Sequence, residues 1–204
     1  MFTGIIREMG LVRTLEQTPG GTKIRIDAPH STRSLARGGS IAVDGVCLTA
    51  TSVENGAFTA DIVPETMMRT IWSDRAPGAR VNLELPMRMG DALDGHLVQG
   101  HVDGVGVVQN VAREGNQWTV EVSPPEDLLP LIAMKGSIAV NGVSLTVASV
   151  RGGSFSVALI PTTLEETNLK ELEPGSRVNL EVDLMARYAA RLLEGQRGSE
   201  GRSR

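Results

Sequence analysis

GSIAVDGVCLTATSV, Gly39 to Val53, returns later in the chain as GSIAVNGVSLTVASV, Gly136 to Val150. The correspondence then runs on without a gap: Phe58 falls on Phe155, Pro64 and Thr66 fall on Pro161 and Thr163, and PGARVNLE from Pro77 returns as PGSRVNLE from Pro174. Roughly half of about 49 aligned positions are identical, which chance does not produce. With a shift of one residue the leading segments pair as well, TGIIREMGLV from Thr3 with QGHVDGVGVV from Gln99. The chain therefore reads as two copies of about 97 residues and a tail. Two long copies argue against a solenoid, which stacks several short units to share a core.

Residues 1–97 are expected to form one domain, with its own complete pocket segments, and 98–187 a second. Within each copy, apolar residues come in short alternating runs such as Lys23 to Ile26, Ser40 to Val43 and Arg80 to Leu83, the pattern of half-buried strands. Turn signals separate them at Pro19-Gly20-Gly21, Asp44-Gly45, Glu54-Asn55-Gly56 and Pro77-Gly78. The class is all-β, each half a small antiparallel barrel, a closure that removes exposed edges without demanding large aromatics. Two helical signals stand out. Ser123-Pro124-Pro125-Glu126-Asp127-Leu128-Leu129 has the capping serine, early proline and early acids of a helix start. From Leu184 to Gly195, Leu184, Met185, Tyr188, Leu192 and Leu193 share one stripe, suited either to docking on the chain's own barrels or to an oligomer contact. Residues 196–204 are polar and Gly-rich, the composition of a disordered tail.

The 204 residues are 41% apolar but only 3% aromatic, and 20 Lys+Arg against 24 Asp+Glu give a formal charge of -4 with no basic run. A nucleic-acid binder would want a basic face with stacking aromatics, so that class is set aside. Cys47 has no partner for an internal disulfide, and the opening MFTGIIREMG carries neither a signal-peptide pattern nor a membrane span. A cytoplasmic protein off the membrane is expected. His30, His96 and His101 with one cysteine lack the spacing of a zinc site, so no metal is expected.

The copies differ at polar positions inside a constant frame. Cys47 matches Ser144, Glu65 matches Thr162, and Gly4-Ile5 matches Gly100-His101. Such a pair of barrels would bind two similar ligands in two unlike pockets. A lone cysteine is usually a small core hydrophobe, yet its counterpart here is a hydroxyl, a hydrogen-bonding group where pure packing would favour alanine or valine. His101 sits in Gly-His-Val-Asp-Gly, a proton-transfer group flanked by glycines that let a ligand approach the backbone, or that merely turn the chain. Gly104-Val105-Gly106 lacks the third glycine and the strand–helix context of a dinucleotide fingerprint.

Met-Phe-Thr-Gly-Ile-Ile at the start, Gly-Val-Cys-Leu-Thr at Gly45, Gly-His-Leu-Val-Gln-Gly-His-Val at Gly95, Gly-Val-Ser-Leu-Thr at Gly142 and Ile-Pro-Thr-Thr-Leu at Ile160 together resemble the riboflavin synthase family of the α-subunit type, built of lumazine-binding repeats. The resemblance runs in order to about Arg187. One departure is Asp94 before Gly95-His96, where the family more often has a second glycine. The resemblance implies two six-stranded Greek-key barrels and a C-terminal helix that assembles a homotrimer. It implies a transferase that dismutates two molecules of 6,7-dimethyl-8-ribityllumazine into riboflavin and 5-amino-6-(ribitylamino)uracil by moving a four-carbon unit, without metal or redox cofactor. The site would lie between the N-terminal barrel of one subunit and the C-terminal barrel of its neighbour. Lumazine synthase is the protein partner it leaves open. The implied contacts are Gly4, Ile5 and Ile6; Cys47, Leu48 and Thr49; Asp61, Ile62, Val63, Pro64, Glu65 and Thr66; Gly100, His101 and Val102; Lys135; Ser144, Leu145 and Thr146; and Ala158, Leu159, Ile160, Pro161, Thr162 and Thr163.

The inventory suits that chemistry by itself. A lumazine carrying a ribityl chain has no phosphate, so it asks for hydroxyl and backbone partners such as Thr49, Asp61, Glu65, Thr66 and Thr146, not an arginine cluster. Loss of a methyl proton and addition to the ring need a proton-transfer group, best met by His101, a nucleophile or water-holder, Ser144 or Cys47, and a hydrogen-bonding Thr146. Holding two identical rings together supplies acceleration of its own. A non-catalytic lumazine or flavin binder, like the fluorescent lumazine proteins, is the rival; polar groups kept in both barrels favour the enzyme, since a binder is free to lose one site.

Overall fold

Alternation along the chain sets the strands, and a computed structural model describes them over residues 1–115 and 117–200, with side chains to residue 194. The first copy runs β1 (Glu8–Thr18), β2 (Gly21–Asp27), β3 (Ser40–Val43), β4 (Val46–Glu54), β5 (Ala57–Ile62), α1 (Pro64–Arg69) and β6 (Arg80–Glu84). The second repeats this as β7 (Gly104–Glu114), β8 (Gln117–Ser123), β9 (Ser137–Val140), β10 (Val143–Arg151), β11 (Ser154–Leu159), α2 (Pro161–Glu166) and β12 (Arg177–Val182). Each copy closes into a six-stranded antiparallel barrel, β1-β2-β5-β4-β3-β6 and, in the same cyclic order, β7-β8-β11-β10-β9-β12. Even the irregularities repeat: the register shifts at Val12/Thr14 and Ala50/Ser52 in one barrel and at Val108/Asn110 and Val147/Ser149 in the other. Such bulges bend strands tightly enough to close a small barrel.

Inward residues fill each barrel. Ile24, Ile26, Ile41, Phe58, Trp72 and Leu83 are fully buried in the first, and Ile138, Phe155, Leu159, Leu169 and Leu180 in the second. Burying side chains of this size stabilises the fold by about 1.5–3 kcal/mol each. Trp72 and Leu169 reach their barrels on matching 3-10 turns, Ile71–Asp74 and Asn168–Glu171. Each turn is started by a threonine, Thr70 or Thr167, whose hydroxyl accepts from the backbone two residues on and donates to the carbonyl four residues back.

The barrels meet about a local two-fold axis. The turns Asp44-Gly45 and Asn141-Gly142 touch there; both glycines have φ of +78°, and a Cβ on either would lie 2.7 Å from the other's backbone nitrogen. Asn82 donates to the Asn141 carbonyl at 3.0 Å, and Asn179 donates to the Asp44 carbonyl at 2.8 Å. The symmetry breaks at Asp44, whose buried carboxylate takes the Asn82 amide, the Asn168 side chain and the Arg75 guanidinium. Burial pushes its pKa up, and Arg75 opposes the shift.

The stretch from Ser123 is not an α-helix. Ser123 ends β8, and a 3-10 turn, Leu129–Leu131, follows. Pro124 and Pro125 bias the residues before them away from helical backbone, and Pro130 has no N–H to continue one. The terminal helix does form, as α3 (Leu184–Glu200). Its backbone runs past Gly195, where the sequence signal puts its end; a helix-interior glycine costs only about 1 kcal/mol relative to alanine. Residues 201–204 of the expected tail lie outside the described residues. Met185, Tyr188, Leu192 and Leu193 on α3 are 74%, 61%, 72% and 56% exposed, so the stripe does not dock on the chain's own barrels. Among the described residues no helix is long and apolar enough to cross a membrane.

Candidate active site

Two leaders, Thr3 to Arg7 and Gln99 to Asp103, precede the two barrels, and each is clasped by a buried glutamate at the end of its own barrel. Glu84 accepts from the Thr3 amide and hydroxyl, both at 2.7 Å, and from the Gly4 amide at 2.9 Å. Glu181 accepts from the amides of Gln99, Gly100 and His101 at 2.6, 2.9 and 2.9 Å. Burial pushes both carboxyl pKa values up, and the donated hydrogen bonds oppose it.

From these clasps the leaders cross. The Gly4 carbonyl accepts from Ser144 N–H at 2.7 Å in the second barrel, and the Gly100 carbonyl accepts from Cys47 N–H at 2.8 Å in the first. Phe2 and Val98 pair between the leaders as an antiparallel bridge. Gly4 and Gly100 have φ of +75° and +80°, and a Cβ on either would stand 2.6 Å from Ser144 Cβ or Cys47 Cβ, so only glycine permits the approach. Ile6 is accordingly buried in the core of the second barrel, and Val102 packs on the core of the first. The expectation that residues 1–97 carry all of their own pocket segments is corrected here: the first copy's leader lines the cavity on the second barrel, and the second copy's leader lies on the first barrel at Cys47.

On the second barrel this assembly forms a half-open pocket of about 540 Å³, lined by Gly4, Ile5, Ile6, Arg7, Val143, Ser144, Ile160, Thr162, Thr163, Glu166 and Thr167. That volume suits a small bicyclic ring with a polar chain. At the matching place on the first barrel the second leader sets Gly100 on Cys47 and packs Val102 on the core. Of the two expected reactive groups of the second copy, Ser144 lies on Gly4, while His101 follows Gly100, which lies on Cys47.

Strand alternation divides the remaining positions. Cys47 is half-buried and Thr49 exposed, as are Ser144 and Thr146, while Leu48, Ile62, Leu145 and Leu159 lie in the barrel cores and offer a ligand only backbone. Asp61 and Ala158 lie near the ends of β5 and β11, and Pro64 and Pro161 open α1 and α2. Lys135 stands exposed, outside the cavity lining, with φ of +69°, where the first copy has Gly38.

Four lining residues lie outside the set expected from the sequence, Arg7, Val143, Glu166 and Thr167, and so does His96, which lies against Ser144. His96 is only 8% exposed. Its Nδ1 lies 2.7 Å from Ser144 Oγ, its amide donates to the Thr3 carbonyl at 3.1 Å, and its Nε2 is buried without a partner. Gly95 beside it is required, because a Cβ there would fall 2.1 Å from the Thr3 oxygen, whereas the departure at Asp94 is an exposed side chain 3.7 Å from Arg7. His96 has no counterpart in the first copy, so comparing the copies gave no signal; its own Gly-His motif did.

Burial lowers the His96 pKa, opposed by Asp183. The folded chain therefore binds this proton more weakly than the unfolded chain, and unfolding takes one up below the ordinary imidazole pKa of about 6.5. The stability this group contributes is complete above that pH and is lost as pH falls through the depressed folded value. NMR should show the His96 ring titrating below 6.5, and His96→Gln should flatten the fall in urea-unfolding stability between about pH 7 and pH 5. An unshifted ring would contradict the burial. Burial moves the Cys47 thiol the other way, pushing its pKa up despite a hydrogen bond from Ser40, so it stays protonated at neutral pH.

Both copies match the lumazine binding domain, over residues 3–86 and 99–183. The chain belongs to the lumazine-binding domain family. It is 44% identical over 199 residues to riboflavin synthase of Mycobacterium tuberculosis (strain H37Rv), covering 95% of this chain and 98% of the relative. It is 36% identical over 193 residues to riboflavin synthase of Bacillus subtilis (strain 168), covering 95% and 90%. Among solved structures, LumP complexed with riboflavin superposes with a TM-score of 0.82 at 28% identity, and LumP complexed with 6,7-dimethyl-8-(1'-D-ribityl) lumazine with 0.81 at 26%; each comparison covers 89% of this chain and 99% of the other. The crossed leaders fall within the stretches matched to the family.

Proposed function

We propose that this protein is a riboflavin synthase, a transferase that converts two molecules of 6,7-dimethyl-8-ribityllumazine into riboflavin and 5-amino-6-(ribitylamino)uracil by moving a four-carbon unit from one to the other. The observation that carries this is one duplicated frame with unlike groups at matching places: Gly100, beside His101, on Cys47, and Gly4 on Ser144, which meets His96. Because the substrates are identical, only the protein can make their roles unequal. His101 transfers the proton lost from an activated ring methyl. Ser144, its hydroxyl against the neutral His96 ring, adds to the partner ring or holds the water that does, and Thr146 hydrogen-bonds the substrate. Thr49, Asp61, Glu65 and Thr66 meet the ribityl hydroxyls and ring edges of the first barrel's ligand.

The two rings come face to face between the N-terminal barrel of one subunit and the C-terminal barrel of another, in a cytoplasmic homotrimer joined through α3. Lys135 reaches the ligand there, and lumazine synthase is a protein partner to test. The likeness to LumP favours one rival, a protein that binds lumazine and flavin without turnover. Incubating the pure protein with the lumazine alone separates them: equal amounts of riboflavin and the aminouracil are expected. Tight binding without product would establish the rival, and absence of binding would overturn both.

A further inference from the structure

We propose that Arg187, on the first turn of α3, is a positioning residue that holds the leader carrying His101 in its working geometry. This rests on the assignment of His101 to proton transfer. Arg187 grips that leader on both sides of the histidine: Nη1 donates to Gln99 Oε1 at 3.0 Å, and Nη2 donates to Asp103 Oδ2 at 2.8 Å. Asp103 is itself fixed at the end of β12, where its carboxylate accepts from Val182 N–H at 2.9 Å and its amide donates to the Leu180 carbonyl at 2.8 Å. Together with Glu181 beneath the amides, this leaves the backbone around His101 little freedom. Among the described residues nothing hydrogen-bonds the His101 ring, so the ring's position follows from the backbone that bears it.

Among the described residues the first leader has no such clamp. Arg7, at the position matching Asp103, sits 3.7 Å from Asp94 with both side chains largely in solvent, at 71% and 60% exposure. The Arg187–Asp103 pair is far more buried, at 33% and 18%. Arg187 Nε is moreover buried without a partner, a cost that an aliphatic side chain would avoid. Two donors aimed at two points of one leader, kept despite that cost, fit a role in geometry better than one in stability. The clamp also ties the pocket to α3, the element whose apolar face lies open.

Displacing a reacting group by about 1 Å costs on the order of 100-fold in rate. In the full-length native oligomer, Arg187→Ala is therefore expected to lower kcat about 10- to 100-fold and to leave KM for the lumazine within about threefold. Amide hydrogen exchange at Gly100 and His101 should accelerate while exchange in the β strands and the oligomeric mass stay unchanged. Arg187→Lys, which keeps one of the two contacts, should recover part of the loss. Unchanged exchange at Gly100 and His101 in Arg187→Ala would overturn the inference whatever happens to turnover. So would a rate loss that follows melting temperature or mass. Full turnover in a parallel His101→Gln variant would overturn instead the role given to His101, and a wild-type protein that makes no riboflavin would overturn the proposed function.

Discussion

Changing Ser144 to alanine is expected to cut riboflavin formation by about 10²–10³-fold with little change in melting temperature. The strand does not need the hydroxyl, since β10 is held by main-chain pairing of Ser144 with Ala139 and by the Ser144 amide on the Gly4 carbonyl. What the hydroxyl does have is His96 Nδ1 at 2.7 Å. Burial keeps that ring neutral, so it can take a proton from the hydroxyl or from water held by it. Cys47 has no such ring nitrogen on its sulfur among the described residues, and burial pushes its thiol toward the protonated form. Cys47→Ser should accordingly cost less than about tenfold, and His96→Gln should approach the loss seen for Ser144→Ala. Single-turnover rates for the three variants check this order. Turnover within about threefold of wild type in Ser144→Ala, or an equal loss in Cys47→Ser, would take the added nucleophile away from the second barrel.

How legible each feature was depends on the range of the interaction that fixes it. The strands were readable because alternation and turn chemistry are local: Ile24 and Ile26, or Ile41 and Val43, announce one inward face wherever the barrel closes. The duplication then made two weak local readings support each other. The stretch from Ser123 misleads because its N-terminal helix signal is local, whereas Pro130 further on denies the helix its continuation. Pocket composition was hidden for a different reason. Comparing the copies pairs Gly4 with Gly100, but in space Gly4 lies on Ser144 and Gly100 on Cys47, contacts between segments far apart in the chain that no local pattern records. Within a run such as Asp61 to Thr66 a strand turns every second side chain inward, so Ile62 offers a ligand only its backbone.

Replacing Tyr188 and Leu192 together by glutamate is expected to reduce the proposed trimer to single chains and riboflavin formation by more than about 10²-fold, while each barrel keeps its ligand. These side chains stand 61% and 72% exposed on α3 beside Met185 and Leu193 at 74% and 56%, a contiguous apolar face on a helix the chain's own barrels leave open. Water tolerates single exposed hydrophobes, but a stripe along one helix face is the surface that a like helix covers. Point changes are preferable to deletion, because removing α3 would also remove Arg187 from the leader that carries His101. Reaction between two bound rings gains its rate from their being held in contact, so a monomer with both pockets filled but apart should bind and not turn over. Sedimentation, ligand fluorescence and product formation on the same variant separate the cases. A monomer that retains wild-type turnover would mean that one chain brings both rings together by itself. Regained turnover at high protein concentration, in step with reassembly, would tie catalysis to the interface between subunits.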